Sequence, residues 1–138
     1  MAFEEKHWWT YALIAVVVSA IYFANVLPKA ANMPVTDIEY QLRLLIAGGA
    51  TVVLSILASI VIAITSAKGP KKDERDRDIH RLGEYVAGLV LAVGMVLPFG
   101  LTLIQADHFW IANAMYLAFV LSALAGSAVK LVAYRRGF

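Results

Sequence analysis

Four stretches of this chain hold no charged residue and little but apolar side chains. They are Trp8–Pro28, Leu44–Ala67, Tyr85–Ala106 and Phe109–Val129, each 21 to 24 residues long. A helix rises about 1.5 Å per residue, so about 20 residues cross the ~30 Å hydrocarbon core of a bilayer. A soluble chain of 138 residues has no use for four such runs, because they leave no polar face for water. In lipid every backbone N–H and C=O must be paired within the protein, which makes each run an α-helix. The expected fold class is an all-α membrane protein with one domain over residues 1–138. Four transmembrane helices at about 8–28, 42–67, 82–105 and 109–133 form antiparallel hairpins. Composition agrees, at 61% hydrophobic residues, where a soluble domain holds about half. The first run is read as a span, not a cleaved signal. Its leader "MAFEEKH" has two acids against one lysine, and it exceeds the ~7–15 apolar residues of a signal peptide.

The basic residues orient these spans. The N-terminus has Lys6, the first connection Lys29 and Arg43, and the third connection none. The second connection has Lys68, Lys71, Lys72, Arg75, Arg77 and Arg81, and the C-terminal end Lys130, Arg135 and Arg136. With four spans, ten of the twelve fall on the side shared by both termini and the second connection. Lys and Arg are retained on the cytoplasmic side. The expectation is a multi-pass protein of the bacterial inner membrane, N-in and C-in, with a cytoplasmic hairpin at 68–81. Trp8, Trp9, Tyr85 and Tyr134 then lie at the inner interface, and Tyr22, Phe23, Tyr40, Phe109 and Trp110 near the outer one.

Local signals refine the elements. Pro28 ends the first span. Thr36 and Glu39 have capping-box spacing, which predicts that helix 2 starts near Asp37 and runs to about Ala67. Asp73 is an N-cap for helix 3, with Glu74 and Asp76 at the positive end of its dipole. Pro98, with Gly94 and Gly100 nearby, predicts a bend in the outer half of that helix. Asp107 caps the last helix after a short turn. Two stripes of small residues recur every four positions: Ala47, Thr51, Ser55, Ser59, Ala63 and Ala67, then Ala114, Ala118, Ser122 and Gly126. Small side chains let helix backbones approach in lipid, where dispersion replaces the hydrophobic effect. These stripes are the expected packing and self-association faces, consistent with a homo-oligomer.

Residues that carry chemistry are few. The chain has no cysteine, which excludes disulfides, thiolate metal sites and cysteine nucleophiles. Of His7, His80 and His108 only His7 and His80 share a side as heme ligands, and both are expected at the interface. Asp107 and His108 with Asp37 and Glu39 could make a weak divalent site, but interfacial capping accounts for the three acids without a metal. Serines in helix interiors have no histidine expected at their depth, so no hydrolase is read. Glu84 is expected at the inner boundary beside His80 and Arg81, facing water. Lys130 is expected to snorkel toward the basic tail. No enzyme, cofactor or direct nucleic-acid partner is expected.

That leaves "KGPKKDERDRDIHRLGEY", Lys68 to Tyr85, with eleven full charges of both signs. Topology accounts for its Lys and Arg but not its acids, so a protein docking site is read there as the alternative to a solvated helix start. From Asp73 on, "DERDRDIHRLGEYVAGLVLAVGM" resembles a group of uncharacterised small bacterial membrane proteins. Those proteins carry a DERD-type cytoplasmic motif, DERDxxI, at the start of the third of four spans. The matching residues are Asp73, Glu74, Arg75, Asp76 and Ile79. The closing "FWIANAMYLAFVLSALAGSAVKLVAYRRGF" is similar to their last helix and basic tail. The resemblance implies a four-span inner-membrane protein. It also implies a cytoplasmic helix-turn-helix regulator as partner, because such a regulator is often encoded beside these proteins. It implies no activity.

The leading functional expectation is a non-enzymatic sensor, scaffold or accessory protein that docks a cytoplasmic partner through the DERDRD hairpin. One alternative is a small oligomeric transporter or channel-like protein, with Thr51, Ser55, Ser59, Gln105 and Asn113 facing a path. Another is a structural subunit of a larger membrane complex.

Overall fold

The computed structural model describes residues 3–65 and 74–136. These fold as α1 (Phe3–Asn32), a single 3-10 turn (Val35–Asp37), α2 (Gln41–Thr65), α3 (Glu74–Gly94), α4 (Val96–Leu103) and α5 (His108–Arg136). There is no strand among the described residues. Four stretches are long and apolar enough to cross a membrane: Glu5–Asn32, Gln41–Thr65, Glu74–Leu103 and His108–Arg136. The burial pattern departs from that of a soluble protein. Ile64 is 77% exposed and Ile104 74%, while Ser127 and Lys130 are each 1% exposed. Large apolar side chains outside, with some polar ones inside beside an apolar core, suit a hydrocarbon solvent.

The helices pack in the spatial order α2–α1–α5–α3. α1 lies on both α2 and α5, and α5 lies on α1, α3 and α4. α2 and α3 are consecutive in the chain but share no extensive interface. One end of the bundle carries both terminal helix ends, the end of α2 and the start of α3; it is called the charged end below. At the opposite end Tyr22, Val26, Ile38, Tyr40, Ala47 and Phe109 form a buried cluster. Tyr22 Oη donates to Asn113 Oδ1 at 2.6 Å, and Asn113 Nδ2 donates to Phe109 O at 2.7 Å. Tyr22 and Asn113 are thus paired within the cluster, as burial favours, whereas the buried Tyr116 hydroxyl beside it has no partner among the described residues.

Two element boundaries differ from expectation. α1 does not stop at Pro28; it runs on to Asn32. Proline removes one helical hydrogen bond, and the following turn is held by Asn32 Nδ2 on Pro28 O (3.0 Å) and Met33 N on Lys29 O (3.0 Å). The Thr36–Glu39 capping box does not start α2, which begins at Gln41. Ile38 is extended (φ −83°, ψ 122°), with Ile38 and Tyr40 buried and Glu39 exposed. Alternate burial is the period of extended chain, so anchoring two side chains in the cluster overrides a local cap signal.

The bend at Pro98 is present as a break. α3 ends at Gly94, Met95 forms a turn, and α4 resumes at Val96. Pro98 has no N–H to donate to Gly94 O, so the helix is interrupted one turn before it. α4 closes in a Schellman motif: Ala106 N donates to Leu101 O (2.9 Å) and Gln105 N to Thr102 O (3.1 Å). Gln105 occupies the left-handed position, at φ 56°. This tight reversal sets α4 and α5 antiparallel.

Candidate functional site

The small-residue stripe of α5 is the face it turns toward α3 and α4. A Cβ added to Gly94 would lie 3.0 Å from Ala118 Cβ, and one on Gly126 would lie 3.0 Å from Ala87 Cβ and 3.2 Å from Gly83 O. Ser122 Oγ donates to Ala87 O at 2.8 Å, joining the two helices directly. The stripe of α2 faces inward too. Ala47 is buried and Thr51, Ser55, Ser59 and Ala63 are half-buried, whereas Val52, Val53, Ile56 and Ile60 are exposed. Thr51 returns its hydroxyl to Ala47 O (2.9 Å). Ala67 lies outside the described residues; the rest of both stripes faces other helices of the same chain.

The α5 stripe continues four residues past Gly126 to Lys130, and here the structure corrects the reading of the charges. Lys130 does not snorkel. Its side chain is buried and forms an ion pair with Glu84 Oε1 at 2.7 Å. Its ammonium also sits 3.4 Å from the centre of the Trp8 ring, a cation–π contact strengthened by the absence of water. Gly83 makes this possible, since a Cβ there would fall 2.5 Å from Lys130 Cγ. Glu84 has Lys130 as its ion-pair partner and keeps 58% of its side chain exposed.

Around this pair lies a cleft of about 570 Å³ walled by all four spans. α1 contributes His7, Trp8 and Tyr11, α2 Ser55 and Ser59, α3 Glu84, and α5 Ser122, Ser127 and Lys130. Among the described residues α2 and α3 share no extensive interface, so the cleft is left open between them over the floor made by α1 and α5. Ser59 Oγ lies 3.0 Å from His7 Nδ1, so a histidine does lie at the depth of a helix serine, contrary to expectation. Ser59 Oγ is also within reach of Ser55 O at 2.8 Å, so its one hydroxyl proton is shared between two acceptor positions and the direction of the His7 contact follows the histidine tautomer. Ser55 and Ser127 line the cleft, and their buried hydroxyls have no hydrogen-bond partner among the described residues. An ammonium, a carboxylate and spare hydroxyls at the edge of an apolar groove can bind a polar group that carries a greasy tail.

The acidic motif sits just outside. Asp73 lies outside the described residues. Arg75 Nη2 donates to Tyr134 O at 3.1 Å and Ala133 O at 3.4 Å, placing a cation on the last carbonyls of α5. Tyr134 Oη donates to Asp76 Oδ1 at 2.5 Å. Ile79 is fully buried, and Glu74, Arg77 and Asp78 are exposed. On the other side of α5, Arg135 Nε pairs with Glu5 Oε1 at 3.0 Å. Arg75 and Asp76 thus clasp α3 to α5 and leave the neighbouring charges facing out. Of the residues read as a polar path, Ser55 and Ser59 enter the cleft, while Asn113 is sealed against Tyr22 and Gln105 lies in the exposed α4–α5 turn.

Sequence reasoning missed His7, Trp8, Glu84, Ser127 and Lys130 as a unit. One signal was present: Lys130 is the next position, at the same spacing of four, on the stripe that ends with Gly126. Comparison with family models, with curated proteins and with solved structures finds no match to this chain.

Proposed function

We propose that this chain is a non-enzymatic protein of the bacterial cytoplasmic membrane, with both termini inside, that senses an occupant of its cleft and docks a cytoplasmic partner at the charged end. The partner class is a small soluble regulator of the helix-turn-helix kind. The observation that carries this reading is that α3 and α5 are linked twice within a few turns. The Lys130–Glu84 pair lines the cleft, and the Arg75–Tyr134–Asp76 clasp fixes the helix start that presents Glu74 and Asp78. A change at the first link is transmitted to the second through two closely packed helices.

The test is capture from native membranes in mild detergent, with identification of whatever copurifies. Because Asp76 is committed to Tyr134, the informative variant is Glu74→Lys with Asp78→Lys. Loss of a stoichiometric cytoplasmic partner, with unchanged membrane insertion and helicity, is expected. The same partner recovered equally by the wild type and the variant removes docking at this face.

A transporter is the second reading, favoured by the four serines, Ser55, Ser59, Ser122 and Ser127, that line the cleft. It requires substrate flux in liposomes that falls when Ser55 or Ser59 is replaced by Leu; flux equal to that of empty liposomes eliminates it.

A further inference from the structure

The cleft has a shape and a charge pattern that together select a class of occupant. Its mouth lies between α2 and α3, which in a membrane faces lipid, so a ligand enters from within the leaflet. At its charged end the cleft is lined by one ammonium and one carboxylate, Lys130 and Glu84, 2.7 Å apart. A singly anionic headgroup would gain Lys130 and be repelled by Glu84; a lone cation would meet the opposite conflict. A headgroup carrying both signs exchanges one internal pair for two matched ones, phosphate on Lys130 and ammonium on Glu84. The half-exposed Glu84 carboxylate accepts hydrogen bonds, which a primary ammonium donates and a quaternary one does not.

Deeper in the cleft the chemistry continues in register. Ser127 lies three residues from Lys130, about 4.5 Å further along α5, and it is 1% exposed with its hydroxyl unpartnered. Ser55 offers a second unpartnered hydroxyl from α2. These are donors for the ester oxygens that follow a phosphate in a glycerophospholipid. Beyond them the cleft is lined by Phe119 and Ala123. A volume of about 570 Å³ holds a headgroup and glycerol backbone but not two acyl chains, which must leave through the mouth.

We infer that the cleft is a binding site for a zwitterionic, primary-amine phospholipid of the leaflet at the charged end. The inference rests on the membrane reading above and not on partner docking. The test uses the full-length protein in detergent, exchanged into mixed micelles containing ethanolamine, choline or glycerol phospholipids of identical chains. Retained lipid is read by native mass spectrometry. Preference for the ethanolamine lipid by about tenfold over each of the others is expected, since a matched charged hydrogen bond is at stake on each side. Glu84→Gln should erase the preference over the choline lipid, and Ser127→Ala should weaken retention of all three. Equal retention of the three lipids by the wild type overturns the proposal, as does an unchanged preference in Glu84→Gln. Displacement of the lipid by water-soluble glycerophosphoethanolamine at equal concentration would show a free headgroup to be the ligand, and also overturns it. If the Glu74 and Asp78 variant loses its partner while lipid preference is absent, only the lipid site fails. If the wild type is monodisperse without any amphiphile, the membrane reading fails first.

Discussion

Lys130 is the residue on which most of the charged end turns. Its side chain is 1% exposed while that of its partner Glu84 is 58% exposed. The two halves of the ion pair therefore respond differently to removal. Glu84→Gln leaves an ammonium buried with a weaker acceptor, and removing one partner of a buried pair is costly; because Glu84 is half in contact with solvent, a loss of about 1–3 kcal/mol is expected, less than for a fully buried pair. Lys130→Met removes the buried charge, keeps the volume, and strands nothing that water cannot reach, so a change within about 1 kcal/mol is expected. Equilibrium unfolding in mixed micelles measures both. An equal loss from the two variants would contradict the buried placement of Lys130. Gly126 belongs to the same argument. Its missing Cβ lets α5 approach Ala87 and the backbone of Gly83, and without that approach Lys130 would not reach between Trp8 and Glu84.

At the scale of elements, α2 shows how tertiary burial overrules a local sequence signal. Thr36 and Glu39 have the spacing of a capping box, yet Thr36 sits in a 3-10 turn, the chain is extended at Ile38, and the helix starts at Gln41. Ile38 and Tyr40, both buried against Tyr22 and Phe109, decide the matter. Thr36→Ala should accordingly leave stability unchanged within about 0.5 kcal/mol, where a true N-cap would lose about 1. Ile38→Ala should lose about 2–4 kcal/mol through cavity formation. The same unfolding measurement separates the two, and a larger effect at Thr36 than at Ile38 would reverse the assignment. The small-residue stripes were legible as packing faces from their spacing alone. Which helix each would meet was not: that α5 meets α3 through Ala118, Ser122 and Gly126 depends on Gly83, Ala87 and Gly94 lying in matching register on another helix.

For the whole molecule, the open order α2–α1–α5–α3 leaves the cleft exposed on one side, and its consequences depend on which way the bundle threads the membrane. The absence of cysteine makes this directly measurable. A single cysteine at Thr36 should react with a membrane-impermeant maleimide in intact cells, and one at Asp78 only after permeabilisation. The basic residues gathered at the charged end are the physical reason for that orientation. The reverse pattern would place the cleft and the clasp in the outer leaflet and dissociate them from any cytoplasmic partner.

The four helices, their approximate limits and their inward faces are written in local sequence, because a bilayer admits few backbone solutions and each apolar run satisfies its own hydrogen bonds. The break near Pro98 is local for the same reason, since a missing N–H is a property of one residue. The cleft is not local. Trp8, Ser59, Glu84 and Lys130 come from four helices and are brought together by the order in which those helices pack. A lysine one turn from a basic tail reads as a snorkelling cation until a glycine on another helix makes room for it. That pairing of faces, decided by close-range steric fit between separate elements, is what tertiary structure alone determined.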